Sequence, residues 1–219
     1  AALTARAREA VNKALALNAH NGPALLELGL LALAEDDRQG AFSAFKRAAE
    51  KLPLHPLAHY YYAHALKELG SLHEAASELN AAATLKPGNA AWHHELACLH
   101  EARGDAPAAL AHYQRALELA PDDARHAADL ARALARDGDL AGAASLLEKA
   151  VQSGPTDAAN WIERGHALLL LHQPADASAC LTRGLELVKE DNSRARALTL
   201  LARAELAQKQ YAAATAHLD

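Results

Sequence analysis

The most chemically suggestive stretch of the chain is WHHELACLH at residues 92–100. It contains His94 and Cys98 four residues apart with Glu95 between them. In zinc proteases, two histidines at this spacing on a helix hold the metal, and the glutamate acts as general base. A cysteine thiolate is also a zinc ligand. The stretch therefore raises the hypothesis of a zinc or copper site, which needs a third ligand from elsewhere in the chain.

No second enzyme signature accompanies this stretch. The sequence contains no phosphate-binding loop, no G-x-G-x-x-G fingerprint and no nucleophile elbow. Cys98 and Cys180 are the two cysteines of the chain, which is too few for a disulfide framework. Cys180 has no evident base partner and is interpreted as structural. The sequence predicts a protein that is not an enzyme and needs no cofactor.

The composition narrows the class of partner. The chain has 219 residues, 22% of them charged, and a formal net charge of −5, so nothing favours binding to nucleic acid or to anionic membranes. The longest apolar runs, such as residues 167–171, are too short to insert into a bilayer. Alanine and leucine dominate and favour helices. We expect a cytoplasmic location, with the periplasm as the alternative because the chain does not begin with methionine.

An internal repeat of 34 residues runs through the sequence. Prolines, glycines and small or large apolar residues all recur at this spacing, which indicates an array of similar structural units. The proline series is Pro53, Pro87, Pro121 and Pro155, and the glycine series is Gly70, Gly104 and Gly138. The large apolar series is Phe45, Leu79, Tyr113, Leu147 and Leu181, and the small series is Gly29, Ala63, Ala97, Ala131 and Gly165.

Each unit is predicted to be a helix–turn–helix. Apolar residues recur at helical spacing in its two halves. Small residues at Gly29 and Ala41 let the two helices approach closely, and Phe45 fills the space beside them. The glycine series falls between the helices, where a left-handed C-cap favours glycine. The proline series follows the second helix, where a helix cannot continue.

These residues resemble the tetratricopeptide repeat family. In the third unit the resemblance is carried by Leu96-Ala97, Gly104, Ala109, Tyr113, Ala116 and Pro121. It implies an all-α fold, a right-handed α-solenoid of helix–turn–helix repeats, in a single array over residues 1–219. Full repeats are predicted at residues 22–55, 56–89, 90–123, 124–157 and 158–191, a lone second helix at 1–21, and a truncated sixth repeat at 195–219.

The fifth repeat departs most from the pattern. Arg164 stands where a leucine is expected, Gly184 replaces alanine and Lys189 replaces proline. Without the proline, its second helix is expected to run past the usual end. No polar capping helix is evident at either end of the array, so the chain is expected to be a segment of a longer protein or to self-associate through its ends.

The repeat register changes the interpretation of His94-Glu95-Leu96-Ala97-Cys98. Leu96-Ala97 is part of the repeat pattern, and Glu95 belongs to a series of mostly acidic residues one repeat apart. His64, one repeat before Cys98, is the one candidate for a third ligand. A metal site at His64, His94 and Cys98 therefore ranks last among the hypotheses.

The resemblance also implies which residues line the concave groove of the array. Leu26, Leu30 and Leu33 are expected to form an exposed apolar strip. Exposed apolar surface usually marks a contact site. Further groove candidates are Tyr60, His64 and His94 for apolar and polar contacts, and Arg125 and Arg132 for an acidic group, with Asp129 and Arg132 expected to pair.

The predicted function is a non-catalytic scaffold that binds a peptide or helix of a partner protein in this groove. The alternative is that the array is the targeting segment of a larger protein, such as a glycosyltransferase or a polysaccharide-export component. The lysines and asparagines with which some family members clamp a C-terminal carboxylate are replaced here, so recognition of that type is not expected.

Overall fold

A computed structural model describes residues 2–217, and describes the side chains of residues 6–211 and 213–217. Within these residues the chain forms thirteen α-helices and no strand. They are α1 (Ala2–Leu17), α2 (Gly22–Ala34), α3 (Arg38–Lys51), α4 (Pro56–Glu68), α5 (Leu72–Leu85), α6 (Ala90–Ala102), α7 (Ala106–Leu119), α8 (Ala124–Asp137), α9 (Leu140–Ser153), α10 (Ala158–Leu170), α11 (Pro174–Leu187), α12 (Asp191–Ala207) and α13 (Tyr211–Ala216).

Several helix starts are capped by polar side chains that accept hydrogen bonds from the otherwise unpaired amides of the first turn. Asn21 caps α2 by accepting from the amide of Ala24 at 3.1 Å. Asp139 caps α9 by accepting from the amide of Gly142 at 2.8 Å. Side-chain caps of the same kind are formed by Asp37, Asn89, Asp123 and Asp157.

The turn between the two helices of a repeat contains a residue with positive φ. The predicted glycines have this conformation, with φ of 77° at Gly70, 76° at Gly104 and 98° at Gly138. The same turn of the other repeats uses residues that are not glycine: Asp36 (φ 60°), His172 (φ 59°) and Lys209 (φ 61°). The left-handed turn is thus a property of the repeat geometry. Glycine adopts this conformation without steric cost, but the turn also forms where the residue is not glycine.

Close packing between the two helices of a repeat confirms the role predicted for the small residues. A methyl group on Gly29 would come within 2.8 Å of Cζ of Phe45 and closer still to two other ring atoms. A methyl group on Gly165 would come within 2.6 Å of Cγ of Leu181. Phe45 and Leu181 are both fully buried, so they fill the interface that the glycines leave open.

The chain divides into two compact units, Ala1–Ala108 and Ala109–Asp219. We call them the N-terminal and the C-terminal unit, and the division falls within α7. In the N-terminal unit, each helix from α1 to α5 packs on the helix that follows it. In the C-terminal unit, α8 to α12 do the same, and α8 and α12 each also contact α10. The predicted fold class, an all-α solenoid of helix–turn–helix repeats, is confirmed, whereas the single array over 1–219 stays a prediction.

The fifth repeat differs from its expected form. Its second helix, α11, ends at Leu187 and is 14 residues long, as α9 is. The prediction that it runs past the usual end is therefore wrong. Val188 leaves the helix with ψ of 134° and is buried in the core that α10, α11 and α12 share. Val188 thus occupies the C-cap position that Leu52, Lys86 and Gly154 hold in other repeats, each directly before a proline.

The sixth repeat begins with a longer helix. α12 has 17 residues, against 13 for α10, and it begins at Asp191. Residue 1 of the first predicted segment and residues 218–219 of the last lie outside the described residues. Among the described helices, none is both long and apolar enough to cross a membrane.

Candidate functional site

An aromatic cluster joins the first helices of two neighbouring repeats in the N-terminal unit. α4 contributes Tyr60 and His64, which lie one turn apart, and α6 contributes Trp92 and Glu95. The ring of Tyr60 stacks on Trp92 with centroids 5.2 Å apart and planes at 21°. His64 meets the edge of Tyr60 at 5.0 Å. The stacked pair fixes the orientation of Tyr60 because aromatic pairs favour such offset contacts.

Glu95 binds both polar groups of this cluster. The hydroxyl of Tyr60 donates to Oε1 of Glu95 at 3.3 Å, and Nε2 of His64 donates to Oε2 at 3.2 Å. The carboxylate thus uses both oxygens to hold two side chains of α4. Glu95 therefore positions the cluster, a role different from that of the base suggested by its flanking sequence.

The protonation states follow from this geometry. Burial, with the negative charge of Glu95 and its hydrogen bond beside it, raises the pKa of Tyr60 to about 12. For Glu95, burial favours the protonated acid, but the hydrogen bonds and charge of His64, the bond from Tyr60 and the nearby Lys67 together outweigh it and lower the pKa. At neutral pH the cluster therefore contains a neutral phenol and a carboxylate.

A cleft of about 350 Å³ opens beside this cluster in the N-terminal unit. We call it the α2–α4 cleft because residues of α2, α3 and α4 line it. Phe45 and Tyr61, whose rings stack at 5.3 Å, are among its lining residues, with Tyr60 and His64 beside them. The remaining lining residues are Leu33, Asp36, Arg38, Ala41, Ala65, Glu68 and Leu69.

The rim of the α2–α4 cleft carries an exposed charge network. Nη1 of Arg38 donates to Oε2 of Glu68 at 3.0 Å, which ties the start of α3 to the end of α4. Nε of the same arginine lies 3.6 Å from Oδ1 of Asp36. The cleft thus combines apolar walls with a few convergent polar groups, the usual composition of a ligand-binding pocket.

In the C-terminal unit, α8 presents two arginines around one acid. Arg132 pairs with Asp129, as expected from the sequence, and Nε of Arg125 lies 3.9 Å from Oδ2 of the same aspartate. The Asp129 side chain is buried, whereas 79% of the Arg125 side chain and 41% of the Arg132 side chain are exposed. One carboxylate therefore faces two guanidinium groups, and Arg125 keeps most of its surface in solvent.

Comparison with known families agrees with this architecture. Family models for the tetratricopeptide repeat match residues 32–97, 94–158 and 134–199. The chain belongs to the tetratricopeptide repeat (TPR) family. The sequence matches no curated protein.

Solved structures show the same TPR fold. YrrB, described as a TPR protein with an unusual peptide-binding site, superposes with a TM-score of 0.75 at 18% identity, covering 84% of this chain and 95% of YrrB. MamA gives a TM-score of 0.70 at 19% identity, with 75% and 90% covered. Pseudomonas aeruginosa pilF gives 0.69 at 18% identity, with 90% and 88% covered. These identities support the fold alone.

The leucine strip predicted in this TPR protein is only partly exposed. Leu33 is 46% exposed and lines the α2–α4 cleft. Leu30 is half-buried against the core of α2 and α3. The prediction is wrong for Leu26, which is 8% exposed. It shares a recess with Val11 of the preceding helix, because α1 packs on α2 and covers that part of the strip.

The candidate metal ligands do not form a site. His94 is 9% exposed, so it offers little surface to a partner in the groove, contrary to its predicted role. Nε2 of His64 is directed to Glu95. Among the described residues, no three histidine, cysteine or acidic side chains are placed together so that they could hold a metal ion. The structure therefore gives no support to the hypothesis of a site at His64, His94 and Cys98.

Sequence reasoning identified Tyr60 and His64 but missed most of the cleft around them. Tyr61, Arg38, Glu68 and Trp92 are not among the predicted site residues. One signal was present: three of the five tyrosines of the chain are consecutive, at residues 60–62. Such a concentration in a protein with 4% aromatic residues marks α4 as a site of aromatic contact.

Proposed function

We propose that this TPR protein is a non-catalytic scaffold that binds a peptide of a partner protein in the α2–α4 cleft. TPR proteins are generally scaffolds for protein–protein interaction, and this coarser role follows from family membership. The observation that supports the finer proposal is the cleft itself, about 350 Å³ in volume with aromatic walls.

The cleft suits one large apolar side chain of an extended or helical peptide. Its volume is at the lower end of the range for ligand pockets, roughly 300–1,000 Å³. Leu33 and Leu69 are 46% and 54% exposed, so an apolar anchor in the cleft would cover them and remove apolar surface from water. Tyr60 is held in place by Trp92 and Glu95, so little conformational entropy is lost when the anchor binds.

The rim indicates the polar surroundings of that anchor. Asp36 and Glu68 both face Arg38, so two carboxylates meet one guanidinium. A basic or hydrogen-bond-donating group next to the anchor would complement the remaining negative charge. The proposed partner segment therefore combines a large apolar residue with a neighbouring donor.

Filling the cleft tests the proposal. Ala65 lines it, and Ala65→Leu adds bulk at little cost in helix propensity. A partner peptide identified by affinity capture should bind the variant at least about tenfold more weakly, equivalent to about 1.4 kcal/mol, by isothermal titration calorimetry. Ala111→Leu, at an exposed position of α7, is the matched control and should leave affinity unchanged. Equal affinity for Ala65→Leu and the parent would refute the α2–α4 cleft as the peptide site.

The two arginines of α8 are proposed to contact an acidic group of the partner. Support comes from their exposure, 79% for the Arg125 side chain and 41% for that of Arg132. The double substitution Arg125→Glu and Arg132→Glu should weaken binding and remove most of its dependence on salt, because rim charges act mainly on association rate and salt sensitivity. Unchanged affinity and salt dependence would exclude these residues while leaving the cleft proposal intact.

A further inference from the structure

The C-terminal unit contains an arginine at a position that other repeats use for packing. Arg164 of α10 occupies the series that holds Leu28, Tyr62, Leu96 and Leu130 in the preceding repeats. Leu96 and Leu130 are buried at this position. An arginine here replaces apolar core with a guanidinium that always carries charge. The fold alone does not require this exchange, since the leucine repeats form the same helix pair.

Arg164 is poorly satisfied by its surroundings. A guanidinium has five N–H donors. Among the described residues, its contact is with Glu148 of α9, where Nη2 lies 3.3 Å from Oε1. Its Nε is buried without a hydrogen-bond partner. The Arg164 side chain is 22% exposed and that of Glu148 is 52% exposed, so the carboxylate is half in solvent while the guanidinium is largely enclosed.

Arg164 lines a cleft of about 650 Å³ formed by α9, α10 and α11. We call it the α10 cleft. Trp161, Leu168 and Leu171 provide its apolar wall, and the indole N–H of Trp161 is already used, since it donates to the carbonyl of Pro155 at 2.9 Å. Burial raises the pKa of the Cys180 thiol at this cleft, so the cysteine is neutral and does not compete for the arginine.

We propose that the α10 cleft is a second binding site, in which Arg164 takes the carboxylate of an aspartate or glutamate side chain of a partner protein. A carboxylate matches the planar guanidinium in two parallel hydrogen bonds, which Glu148 does not provide. The apolar wall takes the residue next to the acid in the partner segment. The site lies within the C-terminal unit and does not depend on the α2–α4 cleft.

The charged residues that line the α10 cleft determine which groups compete with an incoming carboxylate for Arg164. Arg164 and Arg183 are the basic lining residues, and Glu148 and Asp176 are the acidic ones. Arg183 is engaged by Glu186, with Nη1 at 2.6 Å from Oε2. An incoming carboxylate must therefore displace Glu148 from Arg164. Removal of the Glu148 charge should strengthen binding, whereas removal of Arg164 should abolish it.

The test uses two blocked dipeptides as probes, N-acetyl-Leu-Glu-amide and N-acetyl-Leu-Gln-amide. They share size and shape and differ in the carboxylate. Each is titrated into the ¹⁵N-labelled protein, and the arginine Nε–H resonances are followed by NMR. The signal of Arg164 is assigned by its loss in Arg164→Leu. That variant restores the residue of the other repeats, so it should fold, which far-UV circular dichroism checks.

A saturable shift of the Arg164 signal with the glutamate probe, and none with the glutamine probe, is the expected result. Glu148→Gln should lower the half-saturation concentration by about threefold or more, since a competing charge is removed. Arg115→Leu, which removes an arginine paired on the exposed surface of α7, should bind like the parent. Equal shifts with both probes, or a saturable response that survives in Arg164→Leu, would overturn the proposal.

Discussion

The substitution Gly29→Ala tests the packing that carries the α2–α4 cleft. A methyl group at this position would come within 2.8 Å of Cζ of Phe45 and closer to two neighbouring ring atoms. Ordinary contacts of this kind are 3.4–4 Å. Phe45 is fully buried, and its other side stacks on Tyr61 at 5.3 Å. The ring cannot move away without disturbing the tyrosine that lines the cleft.

The magnitude follows from two opposing contributions. Overpacking of a core costs about 1–3 kcal/mol, and a rigid ring held on both sides places this case at the upper end. Alanine is a better helix former than glycine by about 1 kcal/mol. We therefore expect Gly29→Ala to lower the free energy of unfolding by about 1–2 kcal/mol.

The second repeat provides the internal comparison. At the equivalent position it has Ala63, paired with Leu79 rather than phenylalanine, and both are buried. The double substitution Gly29→Ala with Phe45→Leu reproduces that pairing. Its cost should be smaller than the sum of the single costs by at least about 0.5 kcal/mol, the lower end of coupling between residues in contact.

Urea unfolding followed by circular dichroism measures the overall change. Because repeat arrays can unfold in parts, hydrogen exchange of the α2 and α3 amides should be measured alongside it, since it reports local opening. Gly29→Ala should lose protection first in these two helices. A variant as stable as the parent, or single costs that add without coupling, would refute this account of the interface.

Three further predictions concern ionisation and the turns. Because the pKa of Tyr60 is raised to about 12, its contribution to stability is present below the usual pKa of 10 and is lost as pH rises through 12. Absorbance titration should show one tyrosine that ionises late, and Glu95→Gln should shift its ionisation to lower pH. No shift in that variant would contradict the contact between Tyr60 and Glu95. The pKa of Glu95 is lowered from 4.5, so its contribution to stability is present above pH 4.5 and is lost as pH falls through the pKa of the folded protein. Glu95→Gln should therefore make urea unfolding less sensitive to acid. An unchanged pH profile would argue against the role of Glu95 in holding the aromatic cluster. His172 has φ of 59°, a left-handed conformation that costs a non-glycine residue about 1–2 kcal/mol, whereas glycine adopts it freely but loses more entropy on folding. His172→Gly should therefore stabilise the protein by about 0.5–1 kcal/mol, measured by urea unfolding. A loss of stability would show that the turn is not strained.

The repeat architecture was readable from the sequence because each packing contact recurs at the same spacing. The small series, which includes Gly29 and Gly165, and the large apolar series, which includes Phe45 and Leu181, together indicate two helices in close contact. The glycine series likewise predicted the left-handed turn at Gly70. The same conformation at His172 could not be predicted, because its residue type does not require it.

The candidate site was less predictable. The sequence analysis grouped Tyr60 with His94 among the groove candidates, but in the structure Tyr60 binds Glu95 and stacks on Trp92. The 34-residue spacing gives the register of neighbouring helices, whereas the contacts between their side chains also depend on helix rotation and on side-chain rotamers. The exposure of Leu26 failed for a similar reason, since it depends on where α1 packs.

By itself, the sequence determined the helical class, the repeat length and the residues at the helix–helix contacts, because short-range spacing and side-chain size control these. Tertiary structure decided which side chains meet across repeats. It buried His94, joined Tyr60 and His64 through Glu95 and left Arg164 with an unpaired donor at a cleft. These outcomes depend on the relative positions of three or more helices, which the local pattern of one repeat does not specify.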